Sequence, residues 1–97
     1  MTLKKWRMKK MGTKKKPIKV IHRKLGREKA NGQAWTDKRL IEIDDRITGK
    51  EYLDVVIHEV THCQNPKWPE ITVTARATEL CNVLWELGFR WVDLKEK

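Results

Sequence analysis

Only two cysteines and no apolar run approaching eighteen residues leave this 97-residue chain unable to form a disulfide framework or a membrane span. No stretch has the apolar core of a secretory leader, so the expected compartment is the cytoplasm, where both thiols stay reduced. Aromatics other than tryptophan are almost missing, with one Tyr and one Phe beside five Trp. A chain this short buries only about 60 to 65% of its unfolded surface. One small domain is therefore expected, with the tryptophans (Trp6, Trp35, Trp68, Trp85 and Trp91) serving core and hinge packing. No internal repeat is evident.

Acidic residues are scarce at one end. Residues 1–29 hold thirteen of the 22 Lys and Arg but one of the 13 acidic residues, a balance of +12, which leaves −3 for residues 30–97 out of the total of +9. Residues 1–16 read as a basic arm, with Lys4, Lys5, Arg7, Lys9, Lys10, Lys14, Lys15 and Lys16 among too few apolar side chains to form a core element. Such an arm suits a phosphate backbone, and Trp6 among its cations can stack on a base. A solubilising tail is the alternative reading. Residues 17–97 are then the folded, metal-binding domain.

What is present is concentrated in His58-Glu59-Val60-Thr61-His62. On a helix, side chains at i and i+4 stack about 6 Å apart on one face, so both imidazoles can reach one metal ion while Glu59 sits beside it without ligating. Zinc held by two His and one further ligand keeps a position for water and lowers its pKa toward ~7, and a neighbouring carboxylate can take the proton. The surrounding Val55-Val56-Ile57 and Cys63 are uncharged and contain no helix breaker. Thr48 and Glu51 are spaced as a capping box, which starts the helix near Gly49, and Asn65-Pro66 stops it.

Two imidazoles need a third protein ligand, and Glu70, Glu79, His22 and Cys81 are the candidates. A second helix is expected from Pro69 through Leu87, stopped by Gly88, with an apolar stripe of Val73, Ala77, Leu80, Leu84 and Leu87. Glu70 falls about 60° from the centre of that stripe and Glu79 about 120°. In an antiparallel helical hairpin Glu70 lies level with the histidines, whereas Glu79 is about 13 Å further along the axis. Glu70 ranks first, Cys81 reads as a small core residue, and His22 reads as exposed or facing nucleic acid. Tyr52, Arg76 and Arg90 are open candidates for an oxyanion-stabilising role.

Pro17 opens a β-branched run, Ile18 to Arg23; Asn31-Gly32 marks a turn; Trp35 and then Arg39 to Asp44 read as further strand with Ile41 and Ile43 facing inward. The expected fold is α+β: a small antiparallel sheet packed on the metal-binding helix, with a second helix closing the site. The strand ending at Asp44 is the candidate edge for pairing with an extended substrate.

Ile41-Glu42-Ile43-Asp44, Gly49 to Asp54, the H-E-x-x-H, Pro66-x-Trp68-x-Glu70 and Leu84-Trp85-x-Leu87-Gly88-Phe89-Arg90 together resemble small phage and bacterial zincin-like metallopeptidases, over about residues 17–92. More distantly the chain is similar to SprT-like and ImmA/IrrE-type zincins. The resemblance implies a zinc metallopeptidase acting on host or phage proteins near DNA; a monomer in the cytoplasm, that of the host cell if the chain is phage-encoded, is expected. It also implies His58, His62 and Glu70 as ligands and Glu59 as general base. Thr61 departs from the bulkier apolar residue usual there. Two other classes stay open: a non-catalytic zinc module whose arm binds nucleic acid, and a phage protein that inhibits a host factor through its surface.

Removing residues 1–16 is expected to abolish salt-sensitive binding of DNA or RNA and to leave zinc content unchanged. Electrophoretic shift and metal analysis of the truncated chain check this, and retained nucleic-acid affinity would contradict it.

Overall fold

Ile41 and Ile43 lie two positions apart, so both side chains leave the same face of a strand, and both are fully buried. They belong to the central strand of a three-stranded sheet in a computed structural model that describes residues 16–26 and 31–92. The elements are β1 (Lys19–Arg23), β2 (Gly32–Trp35), β3 (Leu40–Asp44), α1 (Gly49–Gln64) and α2 (Glu70–Leu87). The sheet order is β1-β3-β2. The chain is α+β, but the sheet is mixed where an antiparallel one was expected: β2 pairs antiparallel with β3 and β1 pairs parallel to it.

The tight turn at residues 36–39 forces β2 and β3 to be antiparallel. β1 takes the other side of β3 and starts at the same end, where the Lys19 N–H donates to the Arg39 carbonyl at 2.9 Å and the Arg39 guanidinium donates to the Lys16 carbonyl at 2.9 Å. Arg39 itself adopts a left-handed backbone, φ 52°. Because β3 is paired on both sides, it is no edge, and the strand ending at Asp44 cannot add a substrate strand. Among the described residues the unpaired edges are those of β1 and β2.

α1 lays Tyr52, Val55, Val56, Val60 and Cys63 on the inward face of the sheet, against Ile41 and Ile43. Its N-terminus departs from the expected capping box. Thr48 makes no side-chain cap, Gly49 turns the chain through φ +63°, and the Glu51 carboxylate accepts from the Asn31 side-chain amide at 2.9 Å. The helix still begins at Gly49 and ends at Gln64, with Asn65 N–H donating to the Thr61 carbonyl. The Thr61 hydroxyl is satisfied within the helix, donating to the Ile57 carbonyl at 2.7 Å.

α2 starts after Pro69 and stops at Gly88, whose φ of +99° is the left-handed terminus that glycine takes without strain. It packs on α1 through Val73, Ala77 and Cys81, at i, i+4 and i+8. The expected stripe shifts accordingly: Leu80 and Leu87 point outward, 47% and 69% exposed, because the helix–helix contact is narrow and built from small side chains that let the axes approach. Both cysteines are buried and free. Among the described residues no helix is long and apolar enough to cross a membrane.

The tryptophans are a second correction, because none of the four described ones is buried. Lys38 lies over Trp35, Arg76 over Trp68 and Arg90 over Trp85, the last at 3.4 Å from the ring centroid. Their indoles offer faces to surface cations rather than filling the core.

On the far face of the sheet Glu42 accepts from Arg23 at 3.1 and 3.2 Å, from Gln33 at 2.8 Å and from Trp35 at 3.4 Å. Arg23 first, then Gln33, pull its pKa from 4.5 to about 2. A carboxylate depressed in the fold contributes stability above its unfolded pKa and loses it as pH falls through the folded one. The melting temperature is therefore expected to decline as pH drops from about 4.5 toward about 2, and Glu42→Gln to lower it at neutral pH while flattening that acid decline. Calorimetry across the range checks this, and identical acid slopes for native and variant would contradict it.

Candidate metal centre

One helical turn separates His58 from His62, and α1 aims both imidazoles to one side, with ring centroids 4.9 Å apart and planes at 68°. Neither ring is fully buried: about a fifth of each side chain is exposed. The hairpin across residues 65–69 brings Glu70, the first residue of α2, level with them. Its two carboxylate oxygens lie 2.9 Å from His58 Nε2 and 2.9 Å from His62 Nε2. The ligand atoms of all three residues fall within 4.8 Å of one another, and among the described residues they form the one such group of His, Cys, Asp or Glu.

The donor set fits zinc. Two imidazole nitrogens and a carboxylate oxygen are a three-ligand set typical of catalytic sites, and bonds of about 2.0 to 2.2 Å place tetrahedral ligand atoms roughly 3.3 Å apart. Glu70 is 68% exposed, so the group opens to solvent on that side.

The other candidates are elsewhere. Glu79 is exposed on α2 and outside the group. Cys81 is buried between the helices, with its thiol 3.7 Å from the Lys50 carbonyl near the start of α1. His22 is on the sheet but engaged with Tyr52: its Nε2 and the phenol oxygen share a 2.7 Å hydrogen bond, and both rings contact Trp91. Tyr52 is thereby occupied by His22 and does not line the cleft of His58 and His62, and Arg76 and Arg90 are stacked on Trp68 and Trp85. None of the three lines the cleft beside the histidines. Of the arm, only Lys16 is described, and it is exposed; Lys4, Lys5, Arg7, Lys9, Lys10, Lys14, Lys15 and Trp6 lie outside the described residues.

Glu59 takes a different environment from Glu70. It faces β2 and is only 8% exposed. Burial pushes its pKa up, and Glu70 adds to this, while His58 and His62 oppose it. A cleft of about 360 Å³ brings Glu59 together with His58, His62 and Glu70 along Gly32, Gln33, Ala34 and Thr36.

β2 was not legible as a wall of this cleft, because Asn31-Gly32 has the composition of a turn. Gly32 is instead the first strand residue, and a Cβ there would lie 2.6 Å from Val55 Cγ1 and 3.2 Å from both the Glu42 carbonyl and Glu59 Cγ. Asp44 N–H donates to the Asn31 carbonyl at 2.8 Å and Gln33 is in register with Glu42. By the alternation of an antiparallel ladder, Gly32 and Ala34 therefore turn their N–H and C=O groups to the open edge, above the cleft.

With this geometry in hand, comparison with protein-family models, with curated proteins and with solved structures finds no match for the chain.

Gly32→Ala is expected to destabilise the fold by roughly 1 to 3 kcal/mol, the usual cost of forcing a methyl group into a packed contact. Denaturant titration checks it; an unchanged midpoint would show that β2 does not press on Val55 and Glu59 as described.

Proposed function

We propose that the chain is a zinc-dependent peptidase that hydrolyses peptide bonds in a protein or peptide substrate. The observation that carries this reading is the convergence of His58, His62 and Glu70 within 4.8 Å, with a buried carboxylate, Glu59, on the neighbouring turn-face under an open strand edge. Zinc, when bound there, supplies a Lewis acid and a water made acidic enough to attack at neutral pH.

The chain's own residues supply the rest. His58 and His62 present their Nε2 atoms from successive turns, and Glu70 closes the set from α2. Glu59, held between α1 and β2, is placed to accept the proton from the attacking water and return it to the departing amine nitrogen. The exposed backbone groups of Gly32 and Ala34 can pair with an extended peptide and lay its carbonyl over the cleft. This gives β2 the role that the strand ending at Asp44 was expected to have. The resemblance to small zincin-like metallopeptidases points the same way.

A purely structural zinc site would need a fourth protein ligand in a closed shell. Among the described residues no further His, Cys, Asp or Glu joins the three, which favours the catalytic reading over a zinc-stabilised module.

Purified native protein is expected to carry one equivalent of zinc, with His62→Ala and Glu70→Ala losing it and Glu59→Gln keeping it. Loss of the Glu59 proton acceptor is expected to slow hydrolysis by about 100-fold or more. Metal analysis, together with proteomic comparison of cleaved termini in cells expressing the native and Glu59→Gln forms, checks this. Normal zinc in the Glu70 variant, or the same cleavage products in both cell populations, would contradict it.

A further inference from the structure

The cleft that holds the histidines continues past them. Asp54, His58 and His62 stand at i, i+4 and i+8 of α1, so their side chains form one row along the helix, a turn apart. A second cavity, of about 230 Å³, opens at the Asp54 end of that row and shares Gly32, His58 and Glu59 with the cleft of the metal centre. Thr36 accompanies His62 at one end of the combined groove, and Asn31 accompanies Asp54 at the other. The groove therefore follows β2, the strand whose outward backbone groups face an extended peptide.

The second cavity is lined by the carboxylates of Asp54 and Glu59 and, among the described residues, by no Lys or Arg. Glu59 is the buried proton acceptor of the peptidase reading. Asp54 is only partly buried, and among the described residues no hydrogen bond or ion pair reaches it. The neighbouring Glu51 carboxylate, by contrast, is taken by the Asn31 amide at 2.9 Å. Val55 supplies an apolar wall. A carboxylate without a counter-charge, at the end of a cavity with an aliphatic side, matches a side chain that has an apolar stem and a cationic head. Asp54 precedes the level midway between the two histidines by about 9 Å along the helix axis. An extended peptide advances about 3.3 Å per residue, so the side chain that meets Asp54 belongs to a residue two or three positions from the bond being cleaved.

We propose that Asp54 selects Lys or Arg in the substrate, two or three residues to one side of the scissile bond. There the ammonium or guanidinium pairs with the Asp54 carboxylate while its stem lies along Val55. The inference rests on the peptidase reading and adds to it a substrate class, extended segments that carry a basic residue at a fixed distance from the cut.

The test digests a peptide library of varied sequence with the zinc-loaded full chain and reads the new termini by mass spectrometry, with Glu59→Gln as the control. Native protein is expected to cleave with Lys or Arg enriched two or three residues from the cut, on one side only. Asp54→Asn, close to isosteric, is expected to keep its zinc and lose that enrichment, and Asp54→Lys to exchange it for Asp or Glu. A second readout needs no turnover. A fluorescent peptide from the cleaved set is expected to bind zinc-loaded Glu59→Gln about fivefold more tightly with arginine at the selected position than with neutral citrulline, the scale of a partly exposed ion pair. Adding Asp54→Asn to that variant is expected to abolish the difference. Cleavage by native protein with no basic preference, or the same preference in Asp54→Asn, would overturn the role of Asp54 and leave the peptidase reading standing. Cleavage no greater than in the Glu59→Gln control would overturn both.

Discussion

Glu70 reaching both His58 and His62 is the contact on which the proposed chemistry depends. α1 alone offers two imidazoles, and two imidazoles make an incomplete zinc site. The third donor arrives because the interhelical turn is short and because Pro69, extended at ψ 158°, releases the chain directly into the first turn of α2. Val73, Ala77 and Cys81 then let α2 settle closely on α1, which fixes where that first turn must lie. Shift the packing of these small side chains and the carboxylate leaves the imidazoles.

Two carboxylates near the same histidines take opposite environments, and the division of labour proposed for them rests on that. Glu70 is mostly exposed and bridges the two rings. Glu59 is buried, lies outside the group of His58, His62 and Glu70, and is confined by Gly32 on the facing strand. Burial makes its carboxylate more willing to hold a proton, a property suited to shuttling one and unsuited to a surface residue. The lack of a side chain at Gly32 brings β2 close enough to wall the cleft and to hold an open backbone edge over it.

Periodicity made the helices legible. The i, i+4 spacing of His58 and His62, the stop at Gly88 and the level of Glu70 in a helical hairpin all follow from 3.6 residues per turn, and the elements lie where that arithmetic puts them. Strand pairing was less legible, since the residues of β1 and β3 are compatible with either direction, and the parallel pairing depends on Arg39 gathering Lys16, Lys19 and the hairpin at one end. Gly32 looked like a turn because closeness of a neighbouring helix leaves no local mark in sequence. The tryptophans and the outer leucines of α2 were misplaced for a related reason: hydrophobicity indicates a preference for burial, but so small a sheet and so narrow a helical contact leave too little interior to hold them.

The proposed zinc site has a shell of three protein residues with room for solvent, and X-ray absorption at the zinc edge of the metal-loaded full chain reads that shell. The result predicted is a first shell of nitrogen and oxygen only, with the multiple-scattering signature of two imidazoles. Sulfur in that shell, which would place Cys63 or Cys81 on the metal, or a third imidazole from His22, would contradict it.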